Sequence, residues 1–98
     1  MHKIYSVTAF SIEAPYTLRI SFDDNTQQTI NFFSILHGEM FRPLRDVSLF
    51  NQAYLDKEAR TIAWPNGADF DPALLHDWYE HESELVERAK KWEMVESK

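Results

Sequence analysis

The cleanest alternation of apolar and polar positions runs from Tyr16 to Phe22. Tyr16, Leu18, Ile20 and Phe22 point one way and Thr17, Arg19 and Ser21 the other, the period of a half-buried antiparallel strand. Asp23-Asp24-Asn25 follows, and Asn25 tolerates the positive φ of a tight hairpin. The return strand spans 26–32, with Gln28, Ile30 and Phe32 in phase and Gln27 and Thr29 facing water. Upstream, residues 3–12 read as a strand of muddled phase: Tyr5, Val7 and Ala9 share one face, Ile4, Phe10 and Ile12 the other. Apolar residues on both faces predict either a strand covered on both sides or one with a bulge. Glu13-Ala14-Pro15 makes the intervening turn.

Phe33 to Leu36 is apolar but too short for an independent helix, and Gly38 breaks it. A short helix is predicted from Pro43, with Leu44, Val47 and Phe50 on one face. Residues 53–56 and 60–64 then form a second hairpin around Lys57-Glu58-Ala59. Asp71 suits an N-cap and Pro72 the first position of a long final helix. Trp92, Leu85, Trp78 and Ala89 fall within about 60° of Leu74 on a helical wheel, and Leu75, Val86 and Tyr79 extend that arc. A helix of about 22 residues is roughly 33 Å long, more than a small sheet covers. Glu82 interrupts the apolar arc. Either it reaches past a sheet edge or pairs with an arginine, or the helix leaves its own domain there. In the second case Leu85, Val86, Ala89 and Trp92 form an exposed stripe suited to a partner.

These elements define an α+β fold. It has a small antiparallel sheet of five strands, grouped as three then two, a short helix between the groups and a long C-terminal amphipathic helix. The 98 residues fit one domain, 1–80, with 81–98 as its helical extension. Apolar residues make up 44% of the chain, too many for a disordered protein. The absence of cysteine removes disulfides, thiolate ligands and Cys nucleophiles. Neither a signal-peptide core nor a membrane-length apolar run occurs, so a cytoplasmic protein is expected, without membrane contact. The net charge is −6, of which residues 71–98 supply −4 through eight acids and four bases. Phosphate binding depends on Lys and Arg, so direct nucleic-acid binding is not expected.

The run Tyr16 to Phe22, then Phe41-Arg-Pro-Leu-Arg-Asp46, Phe50-Asn-Gln, Tyr54-Leu-Asp56 and Thr61-Ile-Ala-Trp-Pro-Asn-Gly-Ala-Asp69 with Asp71-Pro72, resembles the small bacterial proteins of domain-of-unknown-function family 2442. The resemblance covers roughly residues 4–79 and implies an α+β fold with a small antiparallel sheet. Family members commonly carry glycine where this chain has Asn25 and Ala59-Arg60, and Asp in place of Asn31, which implies local turn differences. Some members continue into a helix-turn-helix domain, whereas this chain continues as one acidic helix. Others look like partners, in the manner of antitoxins, of a second small protein encoded alongside.

Trp64, Pro65, Asn66, Gly67, Asp69 and Asp71 form the most specific stretch. Asx turns and a helix cap account for its polar residues, with Trp64 and Phe70 as anchors. A recognition loop and an Asp69/Asp71 acid–base pair are the functional alternatives. His76 and His81 do not share a helix face and lack the spacing of a zinc hydrolase, so solvated histidines are expected. Arg42 and Arg45 are expected to pair with Asp46 at the surface, and Tyr16, Trp64, Phe70, Trp78 and Tyr79 to be core. No catalytic residue, cofactor or metal ligand is assigned. The expected function is a non-enzymatic interaction module, a homodimer or the antitoxin-like partner of a co-encoded protein, contacting through Glu82, Leu85, Val86, Ala89 and Trp92. The alternative is an accessory or sensor domain in transcriptional control.

Overall fold

In the computed structural model, which describes residues 4–96 and their side chains through residue 91, the alternating segment is the middle strand of a three-stranded antiparallel sheet. β1 (Val7–Ala14), β2 (Thr17–Phe22) and β3 (Gln27–Asn31) lie in the order β1-β2-β3. Leu18, Ile20 and Phe22 are buried, and Gln27 and Thr29 exposed, as their phase requires. β1 resolves its muddled pattern by irregular register: its pairing with β2 shifts between Val7 and Ala9 and again between Ile12 and Ala14. It is an outer strand, not one covered on both faces, and Ile12 remains 41% exposed. Tyr16 leaves the strand and takes the turn at φ 59°, with its hydroxyl donating to Arg45 O. Asn25 turns the β2–β3 hairpin at φ 66°.

A 3-10 turn at Phe33–Ile35 leads to α1 (Gly38–Phe41), a second 3-10 turn at Arg42–Arg45 and α2 (Val47–Phe50). The single short helix expected from Pro43 is therefore divided. Asp46 is extended (φ −73°, ψ 110°) and accepts from Ser48 N, so it restarts the helix as an N-cap. Val47 falls out of phase in consequence: Leu44 and Phe50 are buried, while Val47 is 40% exposed. β4 (Tyr54–Asp56) and β5 (Thr61–Ala63) form the second hairpin, where Arg60 takes φ 57°. Val7 N donates to Arg60 O across 3.0 Å, joining this hairpin to the start of β1.

Phe32, at the end of β3, is the centre of the core. Its ring meets Phe70 and Trp78 at 5.1 Å, Phe50 at 6.0 Å and Trp64 at 6.3 Å. Offset and edge-on pairs of this kind add about 0.5–1.5 kcal/mol each beyond burial.

The expected continuous final helix is two helices, α3 (Pro72–His76) and α4 (Trp78–Glu96). Asp71 caps the first, accepting from Ala73 N at 2.9 Å. The break falls at Asp77 (φ −100°, ψ 24°). Tertiary bonds cause it: Gln28 Nε2 donates to His76 O at 2.7 Å, and the His76 ring is clasped by two carboxylates. A wheel phased on Leu74 does not carry past this break. Tyr79, expected in the core, is 61% exposed, with its hydroxyl donating to Thr29 O. α4 lies against the Phe33–Ile35 turn and α1. Leu85 packs on the core and Ala89 is 5% exposed, so the helix stays on its own domain beyond Glu82.

Candidate functional site

The Trp64–Asp71 stretch follows β5 as a tight loop. Gly67 N donates to Trp64 O and Trp64 N to Ala68 O, a turn that places Gly67 at φ 91°. Only glycine adopts that conformation freely. Asn66 braces the turn from both ends of its amide: Oδ1 accepts from Ala68 N at 3.2 Å and Nδ2 donates to Met40 O at 3.0 Å. Trp64 is buried and its Nε1–H donates to Phe50 O at 2.8 Å. Ala63 and Asp69 form an isolated bridge, and Thr61 Oγ1 donates to Phe70 O beneath it. The loop thus ties β5, α1 and α2 together before α3 begins.

Asp69 and Asp71 are both exposed. Asp71 borders a hollow of about 280 Å³ with Tyr5 and Arg60, but its Oδ1 takes the Ala73 N–H. No histidine or second carboxylate lines that hollow among the described residues, so no converging base supports acid–base chemistry there.

His76 departs from the solvated histidine expected. Its ring stacks on Tyr5 at 3.6 Å with an interplanar angle of 11° and meets Phe22 edge-on. Nε2–H donates to Asp24 Oδ2 and Nδ1–H to Asp77 Oδ1, both at 2.8 Å. Burial alone would lower the His76 pKa, but the hydrogen bonds to Asp77 and Asp24 outweigh it, and the net shift is upward. The Thr26 hydroxyl, against the opposing effect of burial and with help from His76, holds Asp24 down at about 2. This network joins the β2–β3 hairpin, the helix break and the residues before β1. Sequence spacing could not reveal it, because Asp24 and His76 are 52 positions apart.

Asp77, Glu80 and His81 bring one ligand atom each within 4.8 Å of one another. The positive end of α4 opposes a cation there, and Asp77 Oδ1 already faces the His76 ring, so the trio has the character of a helix N-terminal turn.

A groove of about 420 Å³ runs between the Phe33–Ile35 turn and α4, lined by Phe33, Ser34, His37, Arg45, Val86 and Lys90. A hollow of about 140 Å³ continues from His37 past Phe41, Leu85, Arg88 and Ala89. Arg45 does not turn to Asp46. Its Nε donates to Leu36 O at 2.8 Å and its guanidinium to the His37 ring, while Asp46 accepts from Ser48. Of the residues expected to contact a partner, Val86 lines the groove, Glu82 is exposed, Leu85 is half-buried on the core and Ala89 is buried. The side chain of Trp92 lies outside the described residues.

The class defined by this fold and its loop is a small α+β protein with two antiparallel sheets and a C-terminal helix. The chain belongs to the family described as "Protein of unknown function (DUF2442)", whose profile matches residues 7–81. No curated protein and no solved structure matches it. Among the described residues, no helix is long and apolar enough to cross a membrane.

Proposed function

We propose that the chain is a non-enzymatic protein–protein interaction module. A second copy, or a co-encoded small protein held in an antitoxin-like manner, is the kind of partner the family resemblance suggests. The observation that carries this reading is the division of labour on the surface. The polar groups of Asn66 and Asp71 and the indole N–H of Trp64 are spent on backbone bonds within the chain. Apolar surface remains beside α4, where Phe33 is 48% exposed and lines a groove with Val86. The contact surface proposed is this side of α4, with Val86 facing Phe33 across the groove and Glu82 along the outer helix. Leu85 and Ala89 serve to hold α4 in place. The compartment proposed is the cytoplasm, which a cysteine-free chain suits.

The test is sedimentation of the purified chain at two concentrations, with affinity purification from its host and the Phe33→Ala/Val86→Ala variant alongside. Self-association or a stoichiometric partner that the variant loses is the expected result. A monomer that retains no protein refutes the reading.

A further inference from the structure

The three-stranded sheet has two edges, and they are finished differently. On β2, Tyr16 O accepts from Phe32 N, and Phe22 N donates to Thr26 O. Bonding direction alternates along a middle strand, so Leu18 and Ile20 also bond toward β3, and Thr17, Arg19 and Ser21 toward β1. Helices close over the outer edge of β3: the Tyr79 hydroxyl donates to Thr29 O, and Gln28 Nε2 reaches His76 O.

β1 is the other edge. Ala9 and Ser11 stand opposite Ser21 and Arg19 and direct their backbone groups to β2. Phe10 and Ile12 therefore turn N–H and C=O outward. The second hairpin meets the start of this edge, where Val7 N donates to Arg60 O. Among the described residues, nothing bonds the outward groups of Phe10 and Ile12. Their side chains lie opposite Ile20 and Leu18, on the core-facing side of the sheet, yet Phe10 is only half-buried and Ile12 is 41% exposed. The apolar layer under the sheet runs out at β1, which is where the two-faced apolar pattern of this segment goes unused within one chain.

Open donors and acceptors on a sheet edge select another strand. Charge and symmetry decide which. Residues 7–22 contain one acid, Glu13, and one base, Arg19, and these pair with each other at 2.9 Å. The edge is thus neutral in a chain of net charge −6, most of it carried by residues 71–98, and two copies meet here without like charges facing. The edge is also self-complementary. A twofold axis through Ser11 sets Phe10 of each copy opposite Ile12 of the other and matches the outward groups of both. It places Glu13 opposite Ala9, away from its own counterpart.

We infer that β1 pairs antiparallel with β1 of a second copy about Ser11, joining the two three-stranded sheets into one. The register shifts at either end of Ala9–Ile12 keep the pairing short, so the dimer depends on concentration. The inference goes beyond the interaction-module reading by giving self-association a surface apart from the one beside α4.

The experiment exploits the absence of cysteine. Ser11→Cys supplies a single thiol, and in this register the two Ser11 positions form a non-hydrogen-bonded pair with Cα atoms about 4.5 Å apart, within disulfide reach. Ala9→Cys on the same face is the control, since its counterpart lies about 14 Å along the strand. Under air oxidation Ser11→Cys should cross-link at least about tenfold faster than Ala9→Cys. Sedimentation of the wild-type chain from about 10 μM to about 1 mM should show a monomer–dimer equilibrium. Ile12→Pro removes an outward N–H, leaves the β1–β2 bonds in place and should weaken the dimer about tenfold or more. Ser11→Lys sets like charges across the axis and should do the same, which keeps the test intact if a thermal melt shows that the proline variant does not fold. A wild-type chain that stays monomeric, equal cross-linking of the two thiol variants, or a dimer that the folded β1 variants retain overturns the inference. So does a monomer holding a host protein that the β1 variants lose, which would give the edge to a foreign strand. Self-association abolished by Phe33→Ala/Val86→Ala but not by the β1 variants also overturns it and leaves the module reading standing, so the two failures are separable.

Discussion

Replacing His76 by phenylalanine tests how the fold is joined at its helix break. The substitution keeps a ring to stack on Tyr5 and removes both donors. Both ring nitrogens lie 2.8 Å from carboxylate oxygens, and a neutral imidazole has a single N–H. The geometry therefore calls for the imidazolium, in agreement with a pKa raised above the ordinary 6.5. A hydrogen bond to a charged group contributes about 1.5–3 kcal/mol. The His76 side chain is 16% exposed but Asp77 35%, so solvent weakens the second bond. The two together are worth about 2–3 kcal/mol.

The pH dependence follows from the direction of the shift. A group whose pKa is raised on folding stabilises fully below its unfolded value and ceases to do so as pH rises through the folded value. The His76 contribution is thus complete below pH 6.5 and is lost above it, through the raised folded pKa. Asp24 behaves in the opposite sense: its contribution is present above pH 3.8 and is lost as pH falls through about 2. Urea denaturation followed by tryptophan fluorescence reads this directly, since Trp64 and Trp78 are buried. The difference between wild type and His76→Phe should be greatest between those limits and shrink toward about pH 9. A difference that stays constant or grows with pH refutes the reasoning, as does an NMR titration placing the His76 pKa below 6.5.

Gly67→Ala forces a side chain into φ 91°, with its Cβ 3.4 Å from Met40 Cε, and should cost about 1–2 kcal/mol in equilibrium denaturation. Trp64→Phe leaves the Phe50 carbonyl without the indole donor and opens space in the core. The expected loss is about 2–4 kcal/mol, read as a lower urea midpoint with the m-value unchanged. Arg60→Gly relieves a left-handed arginine at φ 57° and should raise stability by about 0.5–1 kcal/mol, seen as a higher Tm. An unchanged or lower Tm would mean that the arginine side chain contributes more than its backbone strain costs.

What was legible in the chain was whatever local chemistry decides. The β2 alternation, the positive φ at Asn25, the second hairpin and the Asp71 cap follow from residue type and neighbours a few positions away. The fold class and family were legible because the strand alternation and the turn, cap and anchor residues of the Trp64–Asp71 loop recur as short local runs along residues 7–81. Two helix assignments were not. Asp46 and Asp77 each end a helix that periodicity would continue, the first through its own bond to Ser48 and the second through partners on β3 and in the hairpin turn. Periodicity measures a helix's preference for an apolar face, and it carries no information about a carbonyl drawn away by Gln28. Tyr79 was misplaced by the same break.

The break also changes what α4 presents. On a single helix running from Pro72, Leu85, Val86 and Ala89 belong to one stripe that is either all core or all interface. Within α4 the three do not act alike. Leu85 and Ala89 turn onto the domain, and Val86 with Lys90, four positions on, turns toward the Phe33–Ile35 turn. If His76 sets the direction of α4, His76→Phe should alter amide shifts at Val86 and Lys90, although the residue touches neither. Unchanged shifts at those positions would show that packing of Leu85 and Ala89 alone fixes the helix, and that His76 contributes stability without direction.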